Sequence, residues 1–421
     1  MNNWERVCIE DVCESVVDCI NKTAPIIDEP SPFKMIRTTN IRNGRLNLES
    51  VRCVTEETYS QWTRRQIPKR GDILLTREAP TGEVGMLLTD DHVFLGQRIV
   101  SCRTNPELLN NKFLLYAFQS DDLQNQIKAF ASGSTVQHMR VPDTKALQIP
   151  LPPLHEQKRI VAIVDEAFEG IDRAIANTQK NLTNARELFE SYLNAIFTQS
   201  SEEWKEVELG ALSERITKGS SPKWQGINYV DEPGILFVTS ENVGQNRMLF
   251  EKTKYVEEAF NEKDSKSILS FGDVLTNIVG ASIGRTAIYD RKELANINQA
   301  VCLIRCKPDK LFNKYLSYLL NSPYFRQILH DNEINNARAN LSLTFFRELQ
   351  IPLPSLEEQR SIVSGIDELH IEIYRLETIY QQKLAAFNEL KQSILRKAFT
   401  GELTADTANQ TTKAAKEVIA A

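Results

Sequence analysis

Apolar residues recur at three- and four-residue steps in two stretches of this 421-residue chain. One stretch carries Ile160, Val164, Ala167, Ile171, Ala174, Thr178 and Leu182; the other carries Ile362, Ile366, Leu369, Ile373, Leu376, Tyr380 and Leu384. A narrow stripe at that period is the mark of a helix presenting one seam to a partner helix. The pattern predicts long helices over 153–200 and 355–400. Start signals agree with it. Ser355-Leu356-Glu357-Glu358 fits a capping box, in which serine and glutamate satisfy each other's backbone donors. Pro153 stands where a first-turn proline is tolerated. A helix of about 42 residues runs about 60 Å, more than one small domain covers. We therefore read the two helices as an antiparallel pair rather than as covers for their own domains.

The remaining stretches alternate short apolar runs with Gly, Asn and Pro turns. Asp72-Ile73-Leu74-Leu75 and Gly234-Ile235-Leu236-Phe237-Val238 are examples. Short helices fall between them, over Asn111–Phe118 and Leu311–Leu320. These stretches read as mixed α/β domains over 1–152 and 201–354. The tail, 401–421, is polar and alanine-rich and reads as frayed.

The pattern is duplicated. Residues 147–198 laid over 349–400 without a gap match at 23 of 52 positions. Fainter matches reach upstream. Asn40-Ile41 falls on Asn242-Val243, Arg45 on Arg247, Gln97 on Gln299, and Gly71-Asp72-Ile73-Leu74 on Gly272-Asp273-Val274-Leu275. Framework residues recur while the stretches between them differ. One scaffold thus carries two different surfaces, with a pseudo-two-fold internal repeat. The fold class expected is α+β: two mixed α/β domains separated by two long antiparallel coiled-coil helices.

Composition adds limits. Hydrophobic content of 41% and charge of 25% are ordinary for a globular protein. No run of about 18 apolar residues suggests a membrane span, and the opening residues lack the features of a secretory signal. Seven cysteines without C-x-x-C spacing read as reduced thiols in a cytoplasmic protein. The net charge of −6 divides into −1 over 1–150, −4 over 151–203, +1 over 204–350 and −2 over 351–421. The acidity lies mainly in the helical repeats. A positive face must come from clustering, as at Arg64, Arg65, Lys69, Arg70 and Arg77, or at Arg37, Arg42 and Arg45.

Catalytic and cofactor signatures do not emerge. The sequence holds no P-loop, no dinucleotide-binding glycine motif, no H-E-x-x-H and no G-x-S-x-G, and no metal site is expected. Asn321-Ser322-Pro323-Tyr324-Phe325 is similar to the loop with which amino-methyltransferases grip an adenine, but a serine cap opening a helix explains it better. What remains is a set of turn-rich segments dense in side chains able to read base edges. In the first copy the candidates are Arg37, Thr38, Thr39, Asn40, Arg42, Thr76, Arg77, Ser132, Ser134, Thr135 and Gln137. In the second they are Ser240, Asn242, Asn277, Ser282, Asn335, Asn336 and Arg338. The expected helix seam, which would also face partners, comprises Ile160, Val164, Ile171, Leu182, Ile362, Ile366, Leu369, Ile373 and Leu376.

Three elements together resemble the specificity subunits of type I restriction–modification enzymes across essentially the whole chain. They are Ile36-Arg37-Thr38-Thr39-Asn40-Ile41-Arg42-Asn43-Gly44, the doubled IPLP-x-L-x-EQ (Ile149–Gln157 and Ile351–Gln359), and Ala398-Phe399-Thr400-Gly401-Glu402-Leu403-Thr404. The resemblance implies two target-recognition domains, each reading one half of an asymmetric bipartite site in double-stranded DNA. It implies helical repeats that set the spacer and dock two methylase subunits. It places S-adenosylmethionine, ATP and magnesium on methylase and restriction subunits, with no cofactor on this non-catalytic chain. The alternative is the specificity subunit of a modification-only adenine methyltransferase without a restriction partner. The second copy has Thr239-Ser240-Glu241-Asn242 where the first has Arg37-Thr38-Thr39-Asn40, so Arg37 is not a reader common to both copies.

Overall fold

The computed structural model describes residues 4–20, 22–131, 138–198, 204–231, 234–335 and 339–404. Two long helices dominate it, Leu154–Thr198 and Leu356–Thr400. The chain forms two compact units, one of residues 1–179 with 381–421, the other of residues 180–380. Each unit therefore contains one mixed α/β head, the first half of one long helix and the last half of the other. That is the α+β, internally repeated architecture expected from the sequence.

The first head is built on a four-stranded antiparallel sheet in which Cys13–Asp18, Ile99–Thr104, Ile73–Thr76 and Val84–Met86 lie side by side. A three-stranded sheet joins it, with Lys34–Ile36 between Arg52–Cys53 and the parallel Val93–Leu95. The second head repeats the plan. Ser213–Lys218, Val301–Cys306, Val274–Asn277 and Thr286–Ile288 form its antiparallel sheet. Ile235–Val238 runs parallel to Ala295–Ile297 in the adjoining one. In each head the strand before the long helix pairs with the strand at the head's start: Gln148–Pro150 with Arg6–Cys8, and Gln350–Leu353 with Lys205–Glu208.

The repeated residues make the same contacts in each copy. Asp72 is buried under a two-pronged ion pair from Arg103, with Nε and a terminal nitrogen both 2.8 Å away. Asp273 takes the same two contacts from Arg305, again at 2.8 Å. Asp165 on the first long helix accepts from Lys112 Nζ at 2.6 Å and from the Tyr116 hydroxyl. Asp367 accepts from Lys314 Nζ at 2.9 Å and from the Tyr318 hydroxyl at 2.6 Å.

Within the first unit, Ile160, Val164 and Ile171 lie in one core with Phe113 and Phe118 of the head and with Phe387, Ile394 and Leu395 of the second helix. Lys391 bonds Asp172, and the Phe113 and Phe399 rings meet edge to face at 5.0 Å. Within the second unit, Arg186 meets Glu377, Phe189 meets His370, and Tyr192 approaches Gly365. One number falls as the other rises, so the helices run antiparallel there. Helix-to-helix and helix-to-head packing thus occur together, and the choice between them posed by the sequence dissolves.

Three details correct the sequence reading. Pro153 lies outside the first helical turn: its carbonyl accepts from Gln157 N at 3.0 Å, and the helix begins at Leu154. Ser355 occupies the matching place and forms the expected capping box: Glu358 N donates to Ser355 Oγ at 3.3 Å and Ser355 N to Glu358 Oε2 at 2.8 Å. Leu376 is not a seam residue. It is exposed, as is Ile379, because the second helix has passed the hydrophobic core of its unit, whose last members from that helix are Val363 and Ile366. Ile373 stays buried, while Leu182, Ile362 and Leu369 are half-buried. Finally, the tail does not fray at once. Gly401–Thr404 form a turn, and buried Leu403 joins the first unit's core; residues 405–421 lie outside the described residues. No helix is long and apolar enough to cross a membrane among the described residues. All seven cysteines are free thiols, with Cys19, Cys102 and Cys302 buried.

Candidate nucleic-acid interface

In each head, several chain segments leave or enter their strands at one end of the sheet, an edge formed by strand termini rather than by a lateral strand. In the first, Ile99 pairs with Thr76, and Val100 pairs with Asp18. Gly96 N donates to Ile36 O at 2.7 Å, bringing the end of the parallel pair to the same edge. Asp18, Arg37, Arg77, Gln97 and Arg98 converge there. Met139 N donates to Arg77 O at 3.1 Å, so the segment that follows 132–137 returns to this edge.

The second head builds the same edge. Asn277 pairs with Val301, Lys218 with Cys302, and Asn298 N donates to Val238 O at 3.0 Å. Gly219 passes so close that a Cβ would lie 1.8 Å from Ile297 O, which fixes glycine there. The pair Ile334–Asn335 with Ala339–Asn340 is held alongside by Leu341 N donating to Ile278 O at 2.9 Å. Lys218, Thr239, Ile278, Gln299 and Ala300 occupy this edge.

The expected readers divide into two groups. Asn40 and Asn242 are buried and serve the loop. Asn40 Oδ1 accepts from Arg37 N at 2.9 Å, and its Nδ2 donates to Asn47 O at 3.1 Å. Asn242 Oδ1 accepts from Thr239 N at 2.9 Å, and its Nδ2 donates to Leu249 O and Lys252 O, both at 2.9 Å. Thr76 is likewise buried, donating to Pro80 O at 2.6 Å and accepting from Glu83 N at 3.0 Å. Asn277, at the equivalent position, donates to Ser240 O at 2.9 Å and to Ser282 Oγ at 3.2 Å. A side chain whose hydrogen bonds are satisfied inside the fold is poorly placed to read a base edge. Asn40, Asn242 and Thr76 therefore shape the edge; Asn277 is fully buried and its amide nitrogen serves the loop, while its Oδ1 has no partner among the described residues.

Arg37 and Thr38 are half-buried, Thr39 and Arg42 exposed, and Arg42 donates to Thr38 O at 2.7 Å. Arg77 is mostly covered and pairs with Asp18 at 3.3 Å, which also holds Arg65. Ser240 and Ser282 are half-buried. The Asn335 backbone lies in the short strand pair. Ser132, Ser134, Thr135, Gln137, Asn336 and Arg338 fall outside the described residues, as does the side chain of Asn335.

Several edge residues escaped the sequence reading. Arg98 is exposed, with Nε 2.9 Å from Glu78 Oε2, and Glu78 also contacts His138 Nδ1. Trp224, on the turn Pro222–Gln225 that follows Gly219, is 81% exposed beside exposed Lys223. A cue for Arg98 lies in the repeat: it follows Gln97, which recurs as Gln299, while Arg98 itself does not recur.

The N-S-P-Y segment is structural. Ser322 caps a helix by accepting from Phe325 N at 3.4 Å, and buried Asn321 donates to Thr286 O at 2.7 Å and Asn246 Oδ1 at 2.8 Å. Among the described residues no cluster of three His, Cys, Asp or Glu side chains has the arrangement of a metal site.

Residues 1–184 and 201–385 each match the type I restriction modification DNA specificity domain. The chain belongs to this family. The repeat therefore corresponds to two copies of one recognition domain. The chain is 25% identical over 425 residues to the MjaVIII specificity subunit of Methanocaldococcus jannaschii, covering 95% of this chain and 93% of the relative. It is 26% identical over 435 residues to the EcoBI specificity subunit of Escherichia coli, covering 96% and 87%. Two solved structures share the fold at 22% identity. A chain from a study of complex assembly and conformational transition of the type I R-M system superposes with a TM-score of 0.76, over 96% of this chain and 99% of that one. The HsdS subunit from Thermoanaerobacter tengcongensis superposes at 0.54, over 96% and 98%. The protein is a type I specificity subunit with two target-recognition domains, and such subunits are the non-catalytic component of their enzymes.

Proposed function

We propose that each head reads one half of an asymmetric bipartite DNA site through its converging strand edge. The single observation that carries this reading is the edge itself, built twice on repeated framework residues and furnished with different side chains. Arginines and carboxylates join Gln97 at the first edge; lysines and an exposed tryptophan join Gln299 at the second. Different furnishings on one frame make two different half-sites the natural target.

The long helices supply the second part of the proposal. Each contributes half its length to each unit, so lengthening or shortening the helices changes the spacer between half-sites. They also offer an exposed apolar face to one of the two methylase subunits. Ile371 and Tyr374 are both 65% exposed on the second helix, where the first has Glu169 and Asp172. Apolar side chains left exposed together mark a surface that a partner covers. On this reading the partners bring S-adenosylmethionine and methylate adenine after it leaves the stack. Restriction subunits bring ATP and magnesium, and the complex works in the cytoplasm.

Filter binding by the reconstituted methylase, with this chain and without it, tests the proposal on DNA carrying the host's methylated motif. Tight binding that requires both the chain and the motif supports it. Binding indifferent to the motif would leave the heads without a reading role.

A further inference from the structure

We propose that Arg98 is the guanine-reading residue of the first head and that Glu78 positions it. The inference rests on the reading of that head as a DNA reader and goes further, by naming a residue and the base it takes.

Arg98 sits where the chain turns from the strand Val93–Leu95 into Ile99–Thr104. Its φ is +72°, in the left-handed region that a bulky side chain rarely adopts. Such a conformation persists where surrounding contacts impose it, and it concentrates at functional positions. Here Arg77 N donates to Arg98 O at 2.7 Å, fixing the turn to the neighbouring strand end. The backbone thus holds the side chain at the edge, where it remains 54% exposed.

The guanidinium is held by one face. Glu78 Oε2 lies 2.9 Å from Nε, and the other Glu78 oxygen contacts His138. Glu78 is itself mostly covered, so it forms a fixed buttress. Among the described residues the two terminal nitrogens of Arg98 have no hydrogen-bond partner. A planar fork of donors matches O6 and N7 of guanine in the major groove. The adjacent carboxylate decides between base and phosphate. It cancels much of the net charge that would draw a phosphate, and it orients the fork that a guanine needs. Neighbouring arginines are less available: Arg77 is mostly covered, Arg65 shares Asp18 with it, and Arg37 is half-buried.

The second head lacks this device. Ala300 stands at the Arg98 position, and Val279 and Gly280 stand where Glu78 would be. Gln97, the residue before Arg98, does recur as Gln299. A residue that differs beside a framework residue that repeats is what a half-site reader requires.

The test uses the reconstituted complex of this chain with its methylase. Affinity is measured on the wild-type motif and on every single base-pair substitution within it. Arg98→Lys keeps the charge and removes the fork. We expect discrimination at one G·C pair of one half-site to fall about tenfold or more. Discrimination in the other half-site and the salt dependence should stay as in wild type, which also shows that the variant is folded. Glu78→Gln should lower discrimination at the same base pair. Uniform weakening across all sequences in Arg98→Ala, with a shallower salt slope, would make Arg98 a phosphate contact and overturn the proposal. Unchanged discrimination in Arg98→Lys would overturn it as well. A wild-type complex that discriminates in neither half-site overturns the reading of the heads themselves.

Discussion

Gln157 Oε1 accepts a hydrogen bond from Asn110 N at 2.8 Å, joining the first long helix to the N-cap of the head's helix Asn111–Gln119. The same side chain donates to Leu108 O at 2.9 Å and Pro152 O at 2.8 Å while fully buried. Gln359 repeats all three contacts, accepting from Phe312 N at 2.8 Å and donating to Lys310 O and Pro354 O at 3.0 Å. Gln157→Ala strands one donor and two acceptors out of water. Each buried unsatisfied group costs about 1–3 kcal/mol. We expect Gln157→Ala and Gln359→Ala to destabilise their units by similar amounts, on the order of 3 kcal/mol. Denaturant unfolding of each variant measures this. Equal midpoints for wild type and variant would show that the staple contributes nothing.

The exposed face of the second helix gives a second expectation. Ile371→Asp with Tyr374→Asp replaces two exposed apolar side chains by charges, so the free chain should keep its fold and helix content. Association with methylase should weaken at least tenfold, because burying an unpaired carboxylate in an interface is costly. Co-purification and sedimentation check it. Full association of the double variant would place the partner elsewhere.

Helix length sets a third. Four residues are close to one turn and about 6 Å, near two base-pair steps of about 3.4 Å. Removing 176–179 from the first helix and 381–384 from the second should shorten the unread spacer by about two base pairs. Both half-site sequences should persist in the methylome. New half-site sequences with an unchanged spacer would refute the helical ruler.

Three thiols whose acidity is suppressed by burial give a fourth. Burial pushes Cys13 up to about 12, Cys19 to about 11 and Cys302 to about 12. Near neutral pH they stay protonated, and the thiolate is the reactive form. Iodoacetamide should therefore modify these three slowly in the native chain and completely after denaturation, as peptide mass mapping will show. Rapid native modification of Cys302 would contradict its enclosure.

The sequence made the long helices legible almost to the residue, because a stripe sustained over many turns leaves few alternatives. It could not show what each stripe faces. Periodicity marks an apolar side, and the same side serves a head at Ile160 and a helix further along. The start of the tail differs for a related reason: Leu403 joins the core and its N–H donates to Lys397 O at 3.0 Å, and one leucine in a polar stretch carries no periodic pattern. The interface is less legible. Asn40 and Asn242 have the chemistry of readers, yet their recurrence at the same place marks them as framework. A side chain that hydrogen-bonds its own loop must be kept in both copies, whereas a reader must differ. Arg98 differs, and it lay next to a recurring glutamine. Asp72 and Arg103 illustrate the framework logic again, since a buried carboxylate requires its partner in each copy.

The most direct measurement of the central claim is the methylome of a host carrying the complete system, compared with one in which residues 9–146 are replaced by the first head of a relative with a different specificity. Two unlike heads reading separately predict that one half-site changes to the donor's sequence while the other half-site and the spacer remain. A motif altered in both halves, or in neither, would contradict the account.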